Sequence, residues 1–355
     1  MGAQNDADMT EQRTILIVGG AGYVGNVMCR RMLDRGWSVR VLDELIFDHG
    51  AAIAPLLEQP GFTFVHGDMR DRATVDRALQ GVTDVALLAG LVGDPITKTY
   101  PELSQSINLG GCANVLEALA SSDIDRFVFT STCSNYGLRT SDEPATEESE
   151  LSPLSLYAEH KVEMEGRILA EAERGVPYVP TVLRISTAYG LSPRMRFDLT
   201  ISEFTRTLAV GDELVVYDAD TWRPYCHVRD IAKAVITALD GDEDDVAGEV
   251  FNVGHSDENY TKRMVVDVVQ EAIGGDGRVA YEEGGRDPRN YRVSFEKIRR
   301  VLGYEPDHRV PVSVAAVVEA VRAGAFADYD ARLGFYTNHT ISERAIDEVA
   351  AGGAD

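Results

Sequence analysis

Residues 14 to 25 read TILIVGGAGYVG, and a second apolar run, SVRVLD, ends at Asp43. The β-branched run TILIV predicts a strand, the glycine cluster predicts a tight turn, and residues 23 to 35 carry a helical pattern. This order of strand, turn, helix and strand is a βαβ unit, whose two strands run parallel. The stretch therefore predicts an α/β fold.

The same alternation continues along the first half of the chain. Further strands are predicted at FTFVHGD, DVALLA, RFVFTST and VPTVLRI, and further helices at residues 71 to 80, at 102 to 121 and from Leu156 onward. Short apolar strands that alternate with helices are typical of a doubly wound parallel sheet of the Rossmann type.

After Gly190 the pattern becomes irregular, and arginine, proline and aromatic residues cluster together. We therefore expect a smaller, C-terminal substrate-binding lobe beside the Rossmann domain. The predicted division is a disordered leader (1–12), a Rossmann domain (13–190, to which 228–254 returns), the lobe (191–227 and 255–335) and a tail (336–355).

The composition is that of a folded and strongly acidic protein. Hydrophobic residues make up 44% and charged residues 26%, and the formal charge of −24 disfavours binding to nucleic acid or to a membrane surface. Local arginines are then expected to reverse the field wherever an anionic ligand binds. The four cysteines lack metal-ligand spacing, and the polar N-terminal sequence lacks the pattern of a signal peptide. We expect a cytoplasmic protein without a bound metal.

Gly19, Gly22 and Gly25 follow the first strand and open the first helix, whose first positions are Tyr23 and Val24. Glycine lets the backbone approach a pyrophosphate closely, and a helix N-terminus offers free N–H groups to it. A plain tight turn is the alternative for a glycine triplet alone. In this context the five residues predict a dinucleotide site.

Asp43 ends the second strand, where a carboxylate can accept hydrogen bonds from the ribose hydroxyls of adenosine. Because a carboxylate would repel a 2′-phosphate, NAD is favoured over NADP. Asp68 and Met69 follow the third strand and suit an adenine contact less specifically. The alternatives are turn aspartates and a core methionine.

Tyr157 and Lys161 form a YxxxK pattern on a predicted helix, where residues four apart share a face. Thr132 ends the strand RFVFTST, at the sheet edge where doubly wound folds bind ligands. A tyrosine base near neutrality needs its pKa lowered by roughly 3 units from 10, and Lys161 with a positive nicotinamide ring would supply that field. A surface Tyr/Lys pair is the alternative for the spacing alone. With Thr132 as a ligand for the substrate oxygen, the three residues predict a reversible alcohol/ketone catalyst.

Over about residues 13 to 325 the chain resembles extended short-chain dehydrogenases/reductases of the NAD-dependent epimerase/dehydratase family. The resemblance is carried, in the family's order, by the glycine motif, TSTCSNYG, YxxxK, LRISTAYG, RPYCHVRD and GYEP. It implies NAD as cofactor, a nucleotide-diphosphate sugar as substrate, and a homodimer with a four-helix interface from residues 102–121 and 156–174. It further implies that Asn108 is structural and that cofactor contacts come from Leu88, Ala89, Gly90, Ile185 and Ser186.

The resemblance also implies the residues that bind the substrate. Arg223 would bind the diphosphate, which agrees with the bidentate geometry of a guanidinium on phosphate. The other implied contacts are Thr187, Asp198, Leu199, Tyr217, Asp287, Arg289 and Tyr291. Further phosphate contacts, with a solvated side chain as the alternative for each, are Arg194, Arg196 and Arg286. His227 is expected to be structural.

Two departures from the family pattern narrow the reaction. Members that eliminate water carry an acidic pair directly after the threonine, and members that decarboxylate carry a glutamate two residues after it. Here these positions hold Cys133 and Ser134. We therefore predict an epimerase that acts at C4 through a transient 4-keto sugar. A 4-dehydrogenase or 4-ketoreductase of the same sugars is the nearest alternative, and a non-catalytic NAD-binding sensor is a more distant one.

Overall fold

The computed structural model describes residues 13–139, 143–285 and 287–341. The strands of this part of the chain are β1 (Thr14–Val18), β2 (Ser38–Asp43), β3 (Phe62–His66), β4 (Asp84–Leu87), β5 (Arg126–Thr132), β6 (Val179–Ile185), β7 (Thr187–Tyr189), β8 (Leu214–Tyr217), β9 (Trp222–His227), β10 (Glu249–Val253), β11 (Asn259–Thr261) and β12 (Val279–Glu282). The predicted leader, Arg286 and residues 342–355 of the predicted tail lie outside the described residues.

The helices in the same described ranges include a long one, α7, and several single turns. They are α1 (Tyr23–Asp34), α2 (Ala54–Leu57), α3 (Arg72–Leu79), α4 (Asp94–Thr99), α5 (Pro101–Gln105), α6 (Cys112–Leu119), α7 (Leu156–Arg174), α8 (Thr200–Ala209), α9 (Val228–Asp240), α10 (Glu243–Val246), α11 (Lys262–Ile273), α12 (Glu296–Leu302), α13 (Val310–Arg322) and α14 (Leu333–Tyr336). None of the helices described is both long and apolar enough to cross a bilayer.

The central element is a seven-stranded parallel sheet in the order β10-β6-β5-β4-β1-β2-β3. β1 pairs with β2 on one side and with β4 on the other, so that Ile17 lies opposite both Val41 and Ala86. The chain thus reverses its direction of travel across the sheet at β1. Such a reversal opens a crevice at the carboxyl ends of the strands. The predicted Rossmann-type fold is confirmed.

Both faces of the sheet are buried, which explains why the strands read as continuous apolar runs. Alternate residues of β1 enter different cores: Ile15 and Ile17 pack in one cluster, and Leu16 and Val18 in the other. Side chains of α1 and α9 complete the first core, while α3, α6 and α7 complete the second. The sheet is therefore covered by helices on both sides.

The segment predicted to return to the sheet does so. α9 packs against α1, and β10 pairs in parallel with β6, with Phe251 opposite Leu183. Around this segment the chain forms two smaller sheets, β11-β9-β7 and β12-β8. A separate cluster joins β8 to α8, α11 and α13. All of these elements except β7 lie in the stretches that the sequence assigned to the lobe, and β7 lies at the end of the predicted Rossmann domain.

The helix predicted around residues 102 to 121 is present, and its middle is π-helical. The chain forms α5, then a π-helical segment, Ser106–Gly111, and then α6. Inside the π-helical segment the Asn108 side chain accepts a hydrogen bond from Leu91 N at 2.7 Å and donates one to Leu91 O at 3.0 Å. The wider turn thus coincides with a side chain that holds the loop after β4.

The first residues of the predicted tail, 336–341, are packed against the rest of the protein. Tyr336 is 5% exposed and Ile341 is 2% exposed, so the chain remains packed there. Phe197 N donates a hydrogen bond to Tyr336 O at 2.8 Å, and the two rings lie 5.8 Å apart. Aromatic packing against a distant part of the chain, which no local pattern reveals, overrides the polar character of the segment.

His227 is a buried structural residue at the start of α9. Its Nδ1 accepts the N–H of Arg229 at 3.1 Å, and its ring stacks on His308 at 4.1 Å. Asp230 lies beside the pair, but its carboxylate already accepts N–H bonds from Asp307 and His308. His227 Nδ1 and both carboxylate oxygens of Asp230 are thus already used in hydrogen bonds that stabilise the fold. Burial, followed by the charge of His308, lowers the pKa of His227 to about 3.

We expect His227 to make the protein less stable as the solution is acidified. Its folded pKa lies below the unfolded value near 6.5, so the unfolded chain takes up a proton first. Stability is then lost as pH falls below about 6.5, by about 2 kcal/mol at pH 5. Urea unfolding at pH 7 and pH 5 would measure this loss. His227→Asn, which retains an N-cap, should lose correspondingly less. Equal losses in both proteins would contradict the assignment.

Candidate active site

A cavity of about 640 Å³ runs along the carboxyl ends of the sheet strands. One wall consists of the glycine turn and the residues that follow β2, β4, β5 and β6, and the other wall comes from the lobe. This size lies within the range of small-molecule and cofactor sites. The crevice opened by the strand order is therefore the candidate active site.

The glycine turn forms the floor at one end of the cavity. Gly19 has a φ of +86°, and a Cβ there would lie 2.6 Å from the backbone nitrogen of Ala89. At Gly25 a Cβ would lie 2.5 Å from the oxygen of Gly19. Tyr23, at the start of α1, donates to Gly190 O at 2.6 Å and so fixes the helix end to the lobe. With Gly22 and Val24, these residues leave a bare helix N-terminus that fits a diphosphate.

Asp43 is held in the cavity wall as an ionised acceptor. Its carboxylate accepts the N–H groups of Ala21 at 3.0 Å and Leu45 at 2.9 Å, and lies 3.5 Å from His49 Nε2. Burial would raise the pKa of Asp43, but His49 and the two amides outweigh it and hold this pKa below its usual value. The arrangement fits a ribose hydroxyl pair. Sequence reasoning missed His49, which nothing in the local pattern marks.

The other residues predicted to contact the cofactor also line the cavity: Asp68, Met69, Leu88, Ala89, Gly90, Ile185 and Ser186. The Asp68 carboxylate already accepts from Arg70 Nε at 2.7 Å, so it is less available than Asp43. Ser186 donates from its hydroxyl to Val253 O at 2.8 Å, which ties the end of β6 to β10.

Thr132, Tyr157 and Lys161 meet at the centre of the cavity wall. Ser155 caps α7 by accepting from Ala158 N at 3.3 Å, and the helix then presents Tyr157 and Lys161 on one face. The Thr132 hydroxyl lies close enough to the Tyr157 phenol to lower its pKa. Lys161 Nζ donates to Thr130 O at 2.7 Å and lies 6.0 Å from the centre of the Tyr157 ring. The structure thus brings the three predicted catalytic residues together.

The local charges decide how readily Tyr157 gives up its proton. Burial raises the pKa of Tyr157 above its ordinary value, and Asp94 adds to the rise. Arg196, the Thr132 hydroxyl and Arg289 act in the opposite direction. Burial also lowers the pKa of Lys161. The protein by itself therefore leaves the phenol protonated, and a further positive charge is needed to make it a base at neutral pH.

Glu165 fixes the catalytic helix to the sheet. It lies four residues after Lys161 on the same face of α7 and is 2% exposed. Its carboxylate forms a 2.7 Å ion pair with Arg184 of β6 and accepts from Asn135 Nδ2 at 2.8 Å and from the hydroxyl of Ser131. Since Ser131 directly precedes Thr132, this carboxylate sets the catalytic helix against the strand that carries the threonine.

The far wall of the cavity carries the residues expected to bind a diphosphate. Arg223 Nη2 lies 2.8 Å from Asp287, and Arg289 Nε donates to the same carboxylate at 2.7 Å. Arg289 also donates to Ser134 Oγ at 3.1 Å, and the Tyr291 hydroxyl donates to Ser134 Oγ at 3.4 Å. Ser134, two residues after Thr132, is thus covered by this arginine and tyrosine.

Thr187, Asp198 and Leu199 also line the cavity, as predicted, whereas Tyr217 does not. Along β8, Leu214 and Val216 point into the lobe core, so the alternation of the strand turns Tyr217 outward, where it is 45% exposed. Tyr217 thus does not line this cavity, and its predicted nucleotide contact stays a prediction. The cavity instead gains lining residues that sequence reasoning missed, among them Lys98, Asp94, Asn338 and His339.

The charges around the cavity are balanced. Its basic residues are Lys98, Lys161, Arg194, Arg196, Arg223 and Arg289, and its acidic residues are Asp43, Glu44, Asp68, Asp94, Asp198 and Asp287. The whole chain carries a formal charge of −24, so the cavity lining is less acidic than the chain as a whole. It does not show the excess of positive charge that the sequence led us to expect.

We expect Glu165→Gln to lower the free energy of unfolding by about 3–5 kcal/mol, because it leaves the Arg184 guanidinium buried without its counter-charge. Glu163→Gln is the matched control on the same helix, since Glu163 pairs with Arg167 in solvent and should cost less than about 0.5 kcal/mol. Urea unfolding at neutral pH measures both. A similar small change in the two variants would show that Glu165 does not anchor the helix.

Comparison with known proteins agrees with this geometry. The family model described as "NAD dependent epimerase/dehydratase family" matches residues 15–254. The low-salt glycan biosynthesis protein Agl12 of Haloferax volcanii is 30% identical over 312 residues, which cover 86% of this chain and 97% of the relative. The UDP-glucose 4-epimerase of Lactobacillus helveticus is 28% identical over 318 residues, which cover 83% of this chain and 92% of that protein.

A solved structure is similar over the same part of the chain. The UDP-glucose 4-epimerase of Thermus thermophilus in complex with NAD has a TM-score of 0.75 and 27% identity to this protein, covering 87% of this chain and 99% of its own. The family match extends over most of the described residues and contains the glycine turn, Asp43, Thr132, Tyr157 and Lys161. The chain therefore belongs to the NAD-dependent epimerase/dehydratase family.

Proposed function

We propose that this protein is a 4-epimerase of nucleotide-diphosphate sugars that acts through a transient 4-keto sugar. The observation that carries the proposal is the placement of Thr132, Tyr157 and Lys161 in one wall of a cavity whose other wall holds Arg223 and Arg289. The reaction named for the relatives from L. helveticus and T. thermophilus supports it. The paired arginines suit a diphosphate, and the catalytic group suits a secondary alcohol.

In the proposed reaction Tyr157 takes the proton of the C4 hydroxyl, while Thr132 holds the sugar oxygen by a hydrogen bond. NAD supplies the hydride acceptor and donor, and its oxidised ring adds positive charge beside the phenol. Lys161, anchored on Thr130 O, adds a second positive charge on the same side of Tyr157. When the sugar is reduced again, Tyr157 returns the proton to the oxygen. The residues thus perform the same proton transfer in both directions.

The residues next to Thr132 argue against elimination and decarboxylation. Cys133 is buried, its thiol donates to Arg184 O at 3.1 Å, and burial raises its pKa to about 12. It is therefore neutral and turned away from the sugar. Ser134 accepts bonds from Arg289 and Tyr291 and carries no charge. Neither position offers the acid that the dehydratases or decarboxylases of the family would use.

A 4-dehydrogenase or 4-ketoreductase of the same sugars would use the same catalytic group, so net turnover of the nicotinamide separates it from an epimerase. A non-catalytic sensor is less favoured, because a sensor has no need for a proton acceptor beside the nicotinamide. A cytoplasmic homodimer that pairs α5, α6 and α7 with a second copy remains part of the proposal. Sedimentation equilibrium tests the dimer.

The decisive experiment is analysis of reaction products. The purified protein is denatured and its released small molecules are identified by mass spectrometry, and the native protein is incubated with a panel of nucleotide sugars. Released NAD, together with a product of unchanged mass and inverted C4 configuration, is the expected result. A product lighter by two hydrogens, formed as NADH accumulates, would identify a dehydrogenase instead.

We expect Tyr157→Phe to reduce kcat by about 10²–10⁴-fold, since it removes the proton acceptor without removing the ring. NAD content should remain close to that of the wild type. Tyr178→Phe is the control, because the Tyr178 hydroxyl bonds Glu171 at 3.1 Å away from the cavity. Full turnover by Tyr157→Phe would refute the catalytic assignment.

We expect Asp43→Asn to weaken NAD binding by about tenfold or more, because a hydrogen bond to a charged acceptor contributes about 1.5–3 kcal/mol. The preference for NAD over NADP should fall in the same variant, because the charge that repels a 2′-phosphate is removed. Asp68→Asn is the control, since Arg70 already occupies that carboxylate. Equilibrium titration with both dinucleotides measures the effect. An unchanged preference would show that Asp43 does not face the ribose.

A further inference from the structure

The last described residues, 333–341, form what we call the C-terminal strap. It starts at α14 on the lobe, where Phe335 and Tyr336 share a cluster with Phe197. It ends at Ile341, which packs in the same core as Phe47 and Leu91 of the Rossmann domain. The strap therefore crosses the cavity from one wall to the other. The family match ends at residue 254, so the strap is not part of what defines the family.

Asn338 is the residue through which the strap meets the cavity. It is 5% exposed and lines the cavity. Its N–H donates to Asp198 Oδ2 at 3.3 Å, its Nδ2 donates to Val92 O at 3.5 Å, and its Oδ1 accepts from Arg194 Nη2 at 2.7 Å. One short side chain thus joins the strap, the loop after β4 and the segment before α8.

Arg194 is a buried cation without a counter-charge. It is 2% exposed, and among the described residues no carboxylate forms an ion pair with it, because Asp198 is taken by Arg196 at 2.5 Å. Its Nε is buried and has no hydrogen-bond partner in the described chain. Burial, followed by the charge of Arg196, lowers the pKa of Arg194 to about 9. A buried cation in this state costs several kcal/mol, and an anion that binds beside it would offset that cost.

The position of Arg194 indicates which anion this is. Its guanidinium lies 4.7 Å from the centre of the Phe47 ring, which follows β2, and Ser192 donates to Tyr23 O at 2.8 Å. The arginine therefore sits beside the start of α1, at the end of the cavity opposite Arg223 and Arg289. A diphosphate placed at the glycine turn would meet the helix N-terminus and this guanidinium together.

We propose that Arg194, oriented by Asn338 of the strap, completes a diphosphate-binding subsite at the glycine turn. The subsite deepens the proposed function and rests on it, since the diphosphate belongs to the dinucleotide or to the nucleotide sugar. Asn338 is a positioning residue: it occupies Nη2 and leaves Nε for the ligand. The C-terminal end of the chain is then part of the binding site.

Binding measurements on the full-length protein freed of NAD test the proposal without turnover. The variants are Arg194→Gln and Asn338→Ala, and Thr340→Ala is the control on the strap, where Thr340 is exposed and does not line the cavity. The probes are NAD, UDP and adenosine, of which adenosine lacks a diphosphate. We expect Arg194→Gln to weaken NAD binding by about 10- to 100-fold, and Asn338→Ala to weaken it by a smaller factor. Adenosine binding and the control should not change.

The outcomes separate the sources of the diphosphate. Weaker binding of NAD with unchanged UDP assigns the subsite to the dinucleotide, and the converse assigns it to the nucleotide sugar. Unchanged binding of both probes would overturn the proposal, as would an equal loss of adenosine binding, which would indicate general damage. If Arg194→Gln fails to fold, Asn338→Ala carries the same test. If the variants weaken diphosphate binding as expected but the wild-type protein epimerises no sugar, the subsite stands and only the proposed reaction is refuted.

Discussion

The pairing of β1 with both β2 and β4 is the constraint on which the site depends. Because the chain leaves β1 toward one edge of the sheet and later returns beside it, the connections that follow β1 and β4 run to opposite sides and leave a crevice at the carboxyl end of β1. The space is occupied by the glycine turn, where Gly19 and Gly25 allow backbone to pass within van der Waals reach of backbone. Every other functional residue reaches this crevice from a neighbouring strand end or from the lobe above it.

The charges of two buried arginines are balanced in different ways, one by the fold itself and the other by a bound ligand. Arg184 is paired with Glu165 inside the protein, so its charge is satisfied as soon as the chain folds, and it serves to hold α7. Arg194 is as deeply buried but has a neutral amide, that of Asn338, as its partner. A cation of the first kind contributes to a fixed geometry. The charge of a cation such as Arg194 is balanced only when an anion binds, so its burial favours the ligand-bound state.

The sequence was informative where function depends on neighbouring residues. The glycine turn, Asp43 and the Tyr157/Lys161 pair are short motifs on single elements, and their backbone position follows from the element that carries them. Sequence reasoning failed where a contact joins distant segments: nothing near Asn338 marks its bond to Arg194, and nothing near His49 marks its approach to Asp43.

Single residues on irregular lobe strands were the hardest to place. Tyr217 belongs to a family position that lines the nucleotide, yet the two-residue alternation of a short edge strand decides whether it faces the cavity or solvent. A shift of one residue reverses the direction of every side chain on such a strand. Register between β8 and β12 is set by pairing across a long stretch of chain, which local sequence does not encode.

The balance of charge in the cavity gives the arginines different roles. Arg223 and Arg289 share Asp287, which fixes the planes of both guanidinium groups before any ligand arrives but also weakens their attraction for an anion. Such groups favour orientation over affinity, which suits a substrate that must leave after each turnover. Arg194 shares no carboxylate in an ion pair within the described chain, and its Nε has no hydrogen-bond partner there, so an anion bound beside it interacts with a buried guanidinium. The proposed subsite at Arg194 therefore favours affinity for its diphosphate, whereas Arg223 and Arg289 favour orientation.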